Sequence, residues 1–250
     1  MDALIIAAGF GSRLAALSPS KPLTPVAGVP LLELGVRQAA AAGARKVVVV
    51  TGHAAERVEA FLPDLAARVG VPVEAARVAD WSKPNGWSVL AGAERIAGDY
   101  LLMMADHVFA AQLLAGLAGV GGADRGVTLA VDRATTSDLI DPDDATWVET
   151  ADDGRILAIG KTIARWNAVD CGAFLATPEL AEAIRTAIGA GKAGSLSEGM
   201  QVLADAGRAQ THDVGSGPAA WWMDVDDPRA HALAEQLAPR YLPECYPPKS

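Results

Sequence analysis

Cysteine and basic residues are scarce in this sequence of 250 residues. There are two cysteines, Cys171 and Cys245, and no Cys-x-x-Cys pair, which excludes a zinc-ribbon type of site and indicates reduced thiols. Acidic residues outnumber Lys and Arg by 30 to 21, for a formal charge of −9. This balance argues against nucleic acid as the main partner, because binding along a phosphate backbone needs an excess of cations.

Long apolar runs are also missing. The apolar run at 3–8 is far shorter than the ~18 residues that a membrane helix needs, and Asp2 stands where a secretory signal would carry basic residues. We therefore expect a cytoplasmic chain without a membrane segment. Hydrophobic residues nevertheless make up 51% of the sequence, which is enough to form the core of one large domain.

Short apolar segments alternate with alanine-rich helical patterns in the first half of the chain. The pattern predicts strands over 3–8, 46–52, 71–78, 100–106 and 126–132, and helices over 31–42, 54–68, 88–97 and 110–118. Strands that are apolar at nearly every position belong to parallel sheets covered on both faces. The predicted fold class is therefore α/β, with a Rossmann-like, mainly parallel sheet and helices on both faces. Gly9, Gly52 and Asp106 follow strands and should line one rim.

The pattern changes at about residue 133. Residues 146–160 predict two strands joined at Asp153-Gly154, a β-hairpin inserted into the fold. Further strands are predicted over 171–177 and 209–214. A helix follows Pro178, another is capped by Ser195 or Ser197, and a last helix covers 229–238 before an irregular, proline-rich tail.

Gly9 and Gly11 follow the first strand, and single cations come after them at Arg13 and Lys21. Glycines let backbone N–H groups approach phosphate oxygens, and both cations can bind phosphate. Leu14 stands where a dinucleotide fingerprint needs a third small residue, and a Walker A loop is missing from the sequence. The alternative is a glycine turn with two solvated cations. We favour a phosphate-binding loop because these elements occur together, in order, at the first strand–loop junction.

The segments "LIIAAGFGSRL" and "KPLTPVAGVPLLE" resemble the signature of nucleotidyltransferases, which activate sugar or alcohol phosphates with a nucleoside triphosphate. The resemblance implies that Arg13 and Lys21 neutralise phosphate charge. It also implies that the triphosphate is wrapped by the loop residues Ala7, Ala8, Gly9, Gly11 and Ser12. We predict a single domain over 1–250, with an NTP-binding part at about 1–132, an acceptor-binding part at about 133–226, and a C-terminal helix and tail at 227–250.

Three carboxylates form a candidate metal site. Asp106 ends a predicted strand, and Asp224 and Asp226 lie in "WWMDVDDP". Mg²⁺ prefers carboxylate oxygens and water, and residues two apart share one face of an extended chain, so both late aspartates could approach one ion. The resemblance implies Mg²⁺ held by Asp106 and the late pair. Helix capping is the alternative for Asp106, and for Asp226 or Asp227.

The base and acceptor sites have weaker signals. Asn85 and Gly86, in a predicted turn before a helix, could contact a nucleobase, and Ser88 could contact the ligand or cap that helix; Gly52-His53 is a second candidate. An ordinary turn is the alternative.

Lys161 follows the second predicted strand of the hairpin, and Asp170 precedes the next predicted strand. Lys161 could bind an acceptor phosphate and Asp170 could bind its hydroxyls, or both could be surface charges. His107 could be a base or could merely orient its loop. A phosphate nucleophile is already ionised and needs no base.

Together, these motifs most resemble cytidylyltransferases that make CDP-inositol, a phospholipid precursor, from CTP and inositol 1-phosphate. The resemblance implies Mg²⁺-dependent transfer of CMP with release of pyrophosphate. Arg13 and Lys21 would offset charge on the leaving group, and Lys161 would steer the acceptor. It also implies a separate membrane transferase that uses the product. The alternatives are phosphocholine or a sugar 1-phosphate as acceptor, and a nucleotide-binding regulator of the same fold. The sequence predicts no oligomeric state.

Overall fold

A computed structural model describes residues 1–120 and 125–246. Within these ranges the chain forms thirteen strands and seven α-helices. The strands are β1 (Asp2–Ile6), β2 (Pro25–Val26), β3 (Val29–Pro30), β4 (Val47–Thr51), β5 (Val73–Arg77), β6 (Tyr100–Met104), β7 (His107–Phe109), β8 (Val127–Asp132), β9 (Trp147–Thr150), β10 (Ile156–Gly160), β11 (Ala168–Ala176), β12 (Ala209–Asp213) and β13 (Trp222–Asp224). The helices are α1 (Leu31–Ala41), α2 (Ala55–Val69), α3 (Asn85–Ala93), α4 (Ala111–Gly119), α5 (Glu179–Gly189), α6 (Leu196–Asp205) and α7 (Pro228–Tyr241).

A nine-stranded sheet forms the centre of the molecule, with strand order β10-β9-β11-β6-β1-β4-β5, and β8 pairs with both β11 and β12. The strands β6, β1, β4 and β5 are parallel, as the apolar runs predict. The loops that follow β1 and β6 consequently emerge at the same edge. The α/β fold class is confirmed.

The second part of the sheet is antiparallel around β11. This long strand pairs with β6, β8 and β9, and its register with β8 shifts between Asp170 and Phe174. β9 and β10 form the predicted hairpin, in which Gly154 has φ +83. The bulge in β11 lies beside the rim formed by the parallel strands, and it aims residues of the second half of the chain at that rim.

Each face of the sheet is covered by its own apolar layer. Leu4, Val48 and Leu102 point to one face and pack with α3, α5 and α6, whereas Ile5 and Val49 point to the other and pack with α1, α2 and α4. Burial on both faces explains why these strands are apolar at every position. A third apolar cluster joins α1, β7, β13 and α7, and it fixes the end of the described chain over the rim.

Several boundaries differ from the sequence predictions. α3 begins at Asn85, not at 88, so Asn85-Gly86 is the first turn of a helix and the predicted turn is wrong. β11 begins at Ala168, and α7 continues to Tyr241 through part of the predicted irregular tail. β7 and β13 pair with each other as a small separate sheet that the sequence did not indicate. Among the described residues, no helix combines the length and apolar character needed to cross a membrane.

Candidate active site

The loop after β1 holds Lys21 against its second glycine. Gly11 has φ +62, and a Cβ at this position would lie 2.4 Å from the Cβ of Lys21. Glycine is required here both for the left-handed backbone and for the close approach of the lysine stem. At Gly9 a side chain would meet open space. The loop therefore forms a concave surface with a fixed cation at its edge, as a phosphate-binding loop requires.

A cavity of about 250 Å³ opens at this loop. Its lining includes most of the residues predicted to bind the nucleotide, namely Ala7, Gly9, Gly11, Ser12, Arg13, Lys21 and Asp106, together with Asp226. Ala8 is buried in the core instead. Its carbonyl accepts a hydrogen bond from the backbone N–H of His53 at 2.9 Å.

A second cavity of about 430 Å³ lies between the bulge of β11, the 138–146 segment and the start of α7. The predicted acceptor residues Lys161 and Asp170 line it, as does Asn85. Arg13, Asp106 and Asp226 line both cavities, so the two meet at these side chains. The geometry allows two phosphorylated ligands to meet.

Charged side chains of alternating sign begin and end in the larger cavity and pass through the smaller one at Arg13, Asp226, Lys21 and Asp106. The order of these side chains in space is Lys161, Asp144, Arg13, Asp226, Lys21, Asp106, His107 and Asp224. The measured separations include 2.9 Å from Arg13 Nη1 to Asp144 Oδ2 and 2.5 Å from Lys21 Nζ to Asp106 Oδ2. Arg13 and Lys21 both contact Asp226. We call this arrangement the charge chain.

Pairing of β7 with β13 assembles the acidic end of the charge chain. The register places Asp224 opposite His107, and Asp106 lies in the turn before β7. Nδ1 of His107 is 2.8 Å from Asp106 Oδ1 and 3.7 Å from Asp224 Oδ1. The His107 ring lies parallel to Trp222, with centroids 6.1 Å apart. Because Ala110 is the N-cap of α4, Asp106 is not the helix cap that the sequence left as an alternative.

The pKa values reflect this crowding of charges. Burial opposes protonation of His107, but the neighbouring Asp224 and Asp106 outweigh it and raise its pKa to about 9. Burial also raises the pKa of Asp224, and the charge of Asp106 adds to the shift. For Asp106 the effect of burial is exceeded by Lys21 and His107, which lower its pKa. The two carboxylates therefore favour the protonated form of His107.

Asp106, His107 and Asp224 each offer a ligand atom within 4.8 Å of the others. Asp224 Oδ1 is buried and, among the residues described, finds no hydrogen-bond partner. An orphaned, buried carboxylate oxygen beside a second carboxylate suits a hard divalent cation. Asp106 and Asp224 therefore fit a metal ion. Asp226, the third predicted ligand, instead contacts Arg13 and Lys21, while Asp227 caps α7 by accepting from the N–H of Ala230 at 2.7 Å.

The predicted base-contacting residues are used mainly for packing. The Asn85 side chain accepts a hydrogen bond from the N–H of Leu196 at 2.9 Å. Gly86 packs against the backbone of Gly194, where a Cβ would lie 2.3 Å from its carbonyl oxygen. Ser88 is buried inside α3, and Pro84 holds the N-cap position, so the predicted cap at Ser88 is wrong. Of these residues, Asn85 alone lines a described cavity.

On the acceptor side, Asp170 lies at the bulge and accepts from the N–H of Gly172 at 2.7 Å. Burial raises its pKa to about 6, with Gly172 and His107 acting in the opposite direction. The alternative of a surface charge is therefore wrong for Asp170. Lys161 is more than half exposed and contacts Asp144.

Two features of the site were not predicted from the sequence. Asp144 lies among several aspartates in "TTSDLIDPDD", and nothing in that segment distinguishes it. An aromatic cluster also stands beside the glycine loop, where the centroid of His53 lies 4.6 Å from Phe10 and 5.2 Å from Trp81. Phe10 and Trp81 are about half exposed. The signal in the sequence was Phe10, a large aromatic residue between Gly9 and Gly11; the approach of Trp81 depends on the tertiary structure.

Comparison with known protein families shows which family the chain belongs to. Residues 3–206 match the family described as MobA-like NTP transferase domain. The chain belongs to this family. It is a nucleotidyltransferase, and the resemblance carried by the glycine loop is confirmed.

Two curated relatives match nearly the whole chain. A bifunctional IPC transferase and DIPP synthase from Rubrobacter xylanophilus is 34% identical over 95% of this chain and 52% of its own length. The protein of the same name from Thermococcus kodakarensis is 30% identical over 95% of this chain and 50% of its own length. The chain thus spans about half the length of the curated relatives it matches.

Solved structures agree on the architecture. An inositol-1-phosphate CTP transferase from T. maritima gives a TM-score of 0.79 at 22% identity, covering 94% of this chain and 95% of the other. A UDP-glucose pyrophosphorylase complexed with UDP-glucose gives 0.78 at 16% identity, covering 96% and 99%. At these identities the likeness establishes the fold alone and does not identify the substrates.

Proposed function

We propose that the chain transfers CMP from CTP to inositol 1-phosphate, giving CDP-inositol and pyrophosphate. The observation that carries the proposal is the meeting of two cavities at Arg13, Asp106 and Asp226. One cavity contains the glycine loop, and the other contains Lys161 and Asp170. Each cavity thus offers a cation to one phosphorylated ligand, as a reaction between two phosphates requires.

The choice of CTP and inositol 1-phosphate draws on the relatives. The curated relatives are named for IPC transferase activity, and the structure from T. maritima is named for inositol 1-phosphate and CTP. Because the chain matches about half of the bifunctional relatives, the proposal covers the nucleotide transfer alone, with a membrane transferase as the consumer of CDP-inositol. The proposal also assigns residues at about 1–132 to the NTP, about 133–226 to the acceptor and 227–250 to a C-terminal helix and tail; 121–124 and 247–250 lie outside the described residues.

In the proposed reaction, an oxygen of the acceptor phosphate attacks the α-phosphorus of CTP in line with the departing pyrophosphate. Arg13 and Lys21 hold the triphosphate and offset the charge that develops on the leaving group. Lys161 holds the acceptor phosphate, and Asp170 accepts hydrogen bonds from its hydroxyls. The exposed rings of Phe10 and Trp81 offer a face on which the base can stack.

Asp106 and Asp224 would hold Mg²⁺, with Asp226 close by. When bound, the ion neutralises charge on the phosphate oxygens. No residue is needed as a general base, because the second ionisation of a phosphate monoester, with a pKa of about 6, is nearly complete at neutral pH. His107, whose Nδ1 lies 2.8 Å from Asp106 Oδ1, orients that carboxylate.

The proposal is tested by pyrophosphate release. The chain is assayed with CTP, UTP, ATP or GTP against inositol 1-phosphate, phosphocholine and glucose 1-phosphate, each with Mg²⁺ and with a chelator. We expect turnover with CTP and inositol 1-phosphate, and its loss with the chelator. A preference for UTP and glucose 1-phosphate would replace the proposal with a sugar nucleotidyltransferase. Nucleotide binding without turnover in any combination would favour a regulator.

Asp170 supplies a control on the acceptor side. In Asp170→Asn the KM for inositol 1-phosphate should rise while the KM for CTP stays within about twofold, because Asp170 lines only the acceptor cavity. The exposed Asp152→Asn variant is the matched control. Equal effects on both KM values would contradict the division of the site into two cavities.

A further inference from the structure

Asp144 joins cations from the two sides of the cleft. Its Oδ2 accepts from Arg13 Nη1 at 2.9 Å, and its Oδ1 contacts Lys161. Arg13 comes from the loop after β1, whereas Lys161 follows β10. Two cations assigned to two different phosphates therefore converge on the two oxygens of a single carboxylate.

The backbone fixes this carboxylate in place. The N–H groups of Asp144 and Ala145 donate to the carbonyl of Asp141 at 3.2 and 2.9 Å, and the N–H of Asp143 donates to the Asp141 side chain at 3.0 Å. The Asp144 side chain is 24% exposed, while Asp143 points to solvent. Partial burial opposes ionisation of Asp144, but Lys161 and Arg13 outweigh it and lower its pKa. Asp144 thus carries a full negative charge at neutral pH.

We propose that Asp144 is an anionic competitor for the two phosphate-binding cations, displaced by the incoming acceptor phosphate and restored when the product leaves. This inference rests on the proposed function for its ligand. A carboxylate on Arg13 and Lys161 occupies the donors that a phosphate would use. An entering phosphate must exchange with it, so Asp144 weakens every anion that binds there.

The change in phosphate charge during the reaction gives Asp144 a role in product release. The acceptor enters as a phosphate monoester with a charge near −2 at neutral pH. One of its oxygens forms a bond to the α-phosphorus, while the bond from that phosphorus to the pyrophosphate oxygen breaks and the pyrophosphate leaves with the electron pair. The acceptor phosphate has then become one half of a diphosphate linkage, in which its phosphorus carries a single negative charge. Its hold on Lys161 weakens, and Asp144 regains the cation as the product departs.

Direct binding of inorganic phosphate tests the inference without relying on turnover. Calorimetric titration compares the wild type with Asp144→Asn, with Asp144→Glu, which keeps the charge, and with Asp143→Asn, which removes a neighbouring exposed charge. We expect Asp144→Asn to bind phosphate about fivefold more tightly, the effect of about one exposed ion pair that no longer has to be broken. The other two variants should stay within about twofold of the wild type.

Kinetics supply the second readout. In Asp144→Asn the KM for inositol 1-phosphate and the inhibition constant of CDP-inositol should both fall about fivefold. Weaker phosphate binding, or a higher KM, would overturn the inference and show that Asp144 only positions Lys161. The same change in Asp143→Asn would overturn it as a general charge effect. A wild type that binds phosphate but never turns over inositol 1-phosphate would refute the proposed function while leaving the anion competition measurable.

Discussion

Replacing Lys21 by methionine removes the central cation of the charge chain and keeps the stem that packs on Gly11. The lysine side chain is 10% exposed, and its Nζ contacts both Asp106 and Asp226. Its neighbours raise its pKa against the effect of burial, so it is charged at any pH used for assay. The substitution therefore leaves two carboxylates facing each other; within the described chain, Asp106 is then paired only with His107 and Asp226 only with Arg13.

The size of the effect follows from these contacts. Breaking a buried ion pair by removing one partner costs about 3–5 kcal/mol. The carboxylates here are 28% and 23% exposed, so we expect a smaller loss of about 2–3 kcal/mol in the free energy of unfolding. For a chain of this size that lowers Tm by about 4–12 °C. Losing one preorganised donor to the triphosphate should raise the barrier by about 2–4 kcal/mol, or about 30- to 1,000-fold in kcat/KM.

The assay separates these two losses. Urea unfolding gives the stability, and pyrophosphate release well below Tm gives kcat/KM. The exposed Lys192→Met variant serves as the matched control and should change neither quantity measurably. Turnover of Lys21→Met at the wild-type rate would refute a role for Lys21 at the phosphates. A stability equal to that of the control would refute the tight pairing in the charge chain.

Three further predictions concern the scaffold of the site. Gly172→Ala places a Cβ at φ +78 and 2.4 Å from the His107 ring, so unfolding free energy should fall by about 2–4 kcal/mol, and turnover with it; wild-type values would show that the ring is free to move. The pKa of Glu33 lies below its usual value, because hydrogen bonds from Arg68 and Arg37 outweigh the effect of burial. The stability lost in Glu33→Gln should therefore be full near neutral pH and shrink as pH falls below 4.5; a loss that grew with acid would contradict this. Ser195→Ala removes the capping box of α6 and should cost about 1 kcal/mol in urea unfolding; no change would mean that water replaces the cap.

Local sequence determined the elements that need only their own neighbours. The valine-rich β4 is apolar on both faces, a pattern that predicts a buried parallel strand without knowledge of its neighbours. Gly11 and Lys21 are 10 residues apart in one loop, and the glycine pattern indicated a phosphate site before any partner was known. The turn at Gly154 and the cap at Ser195 rely on backbone chemistry within a few residues; the turn was predicted, and the cap was narrowed to Ser195 or Ser197.

Tertiary structure decided which charges meet. Arg13 and Asp144 are 131 residues apart, and Lys21 and Asp226 are 205 apart, so no local pattern records their contact. The pairing of β7 with β13 brings Asp224 to His107 because of sheet geometry and the apolar cluster behind it. At Asn85-Gly86 the local sequence favours a turn, but packing against the start of α6 places these residues in the first turn of a helix. The side-chain types in the sequence limit the chemistry that a site can perform. Which of these side chains share one site is set by the long-range pairing of strands, because that pairing depends on burial summed over the whole core.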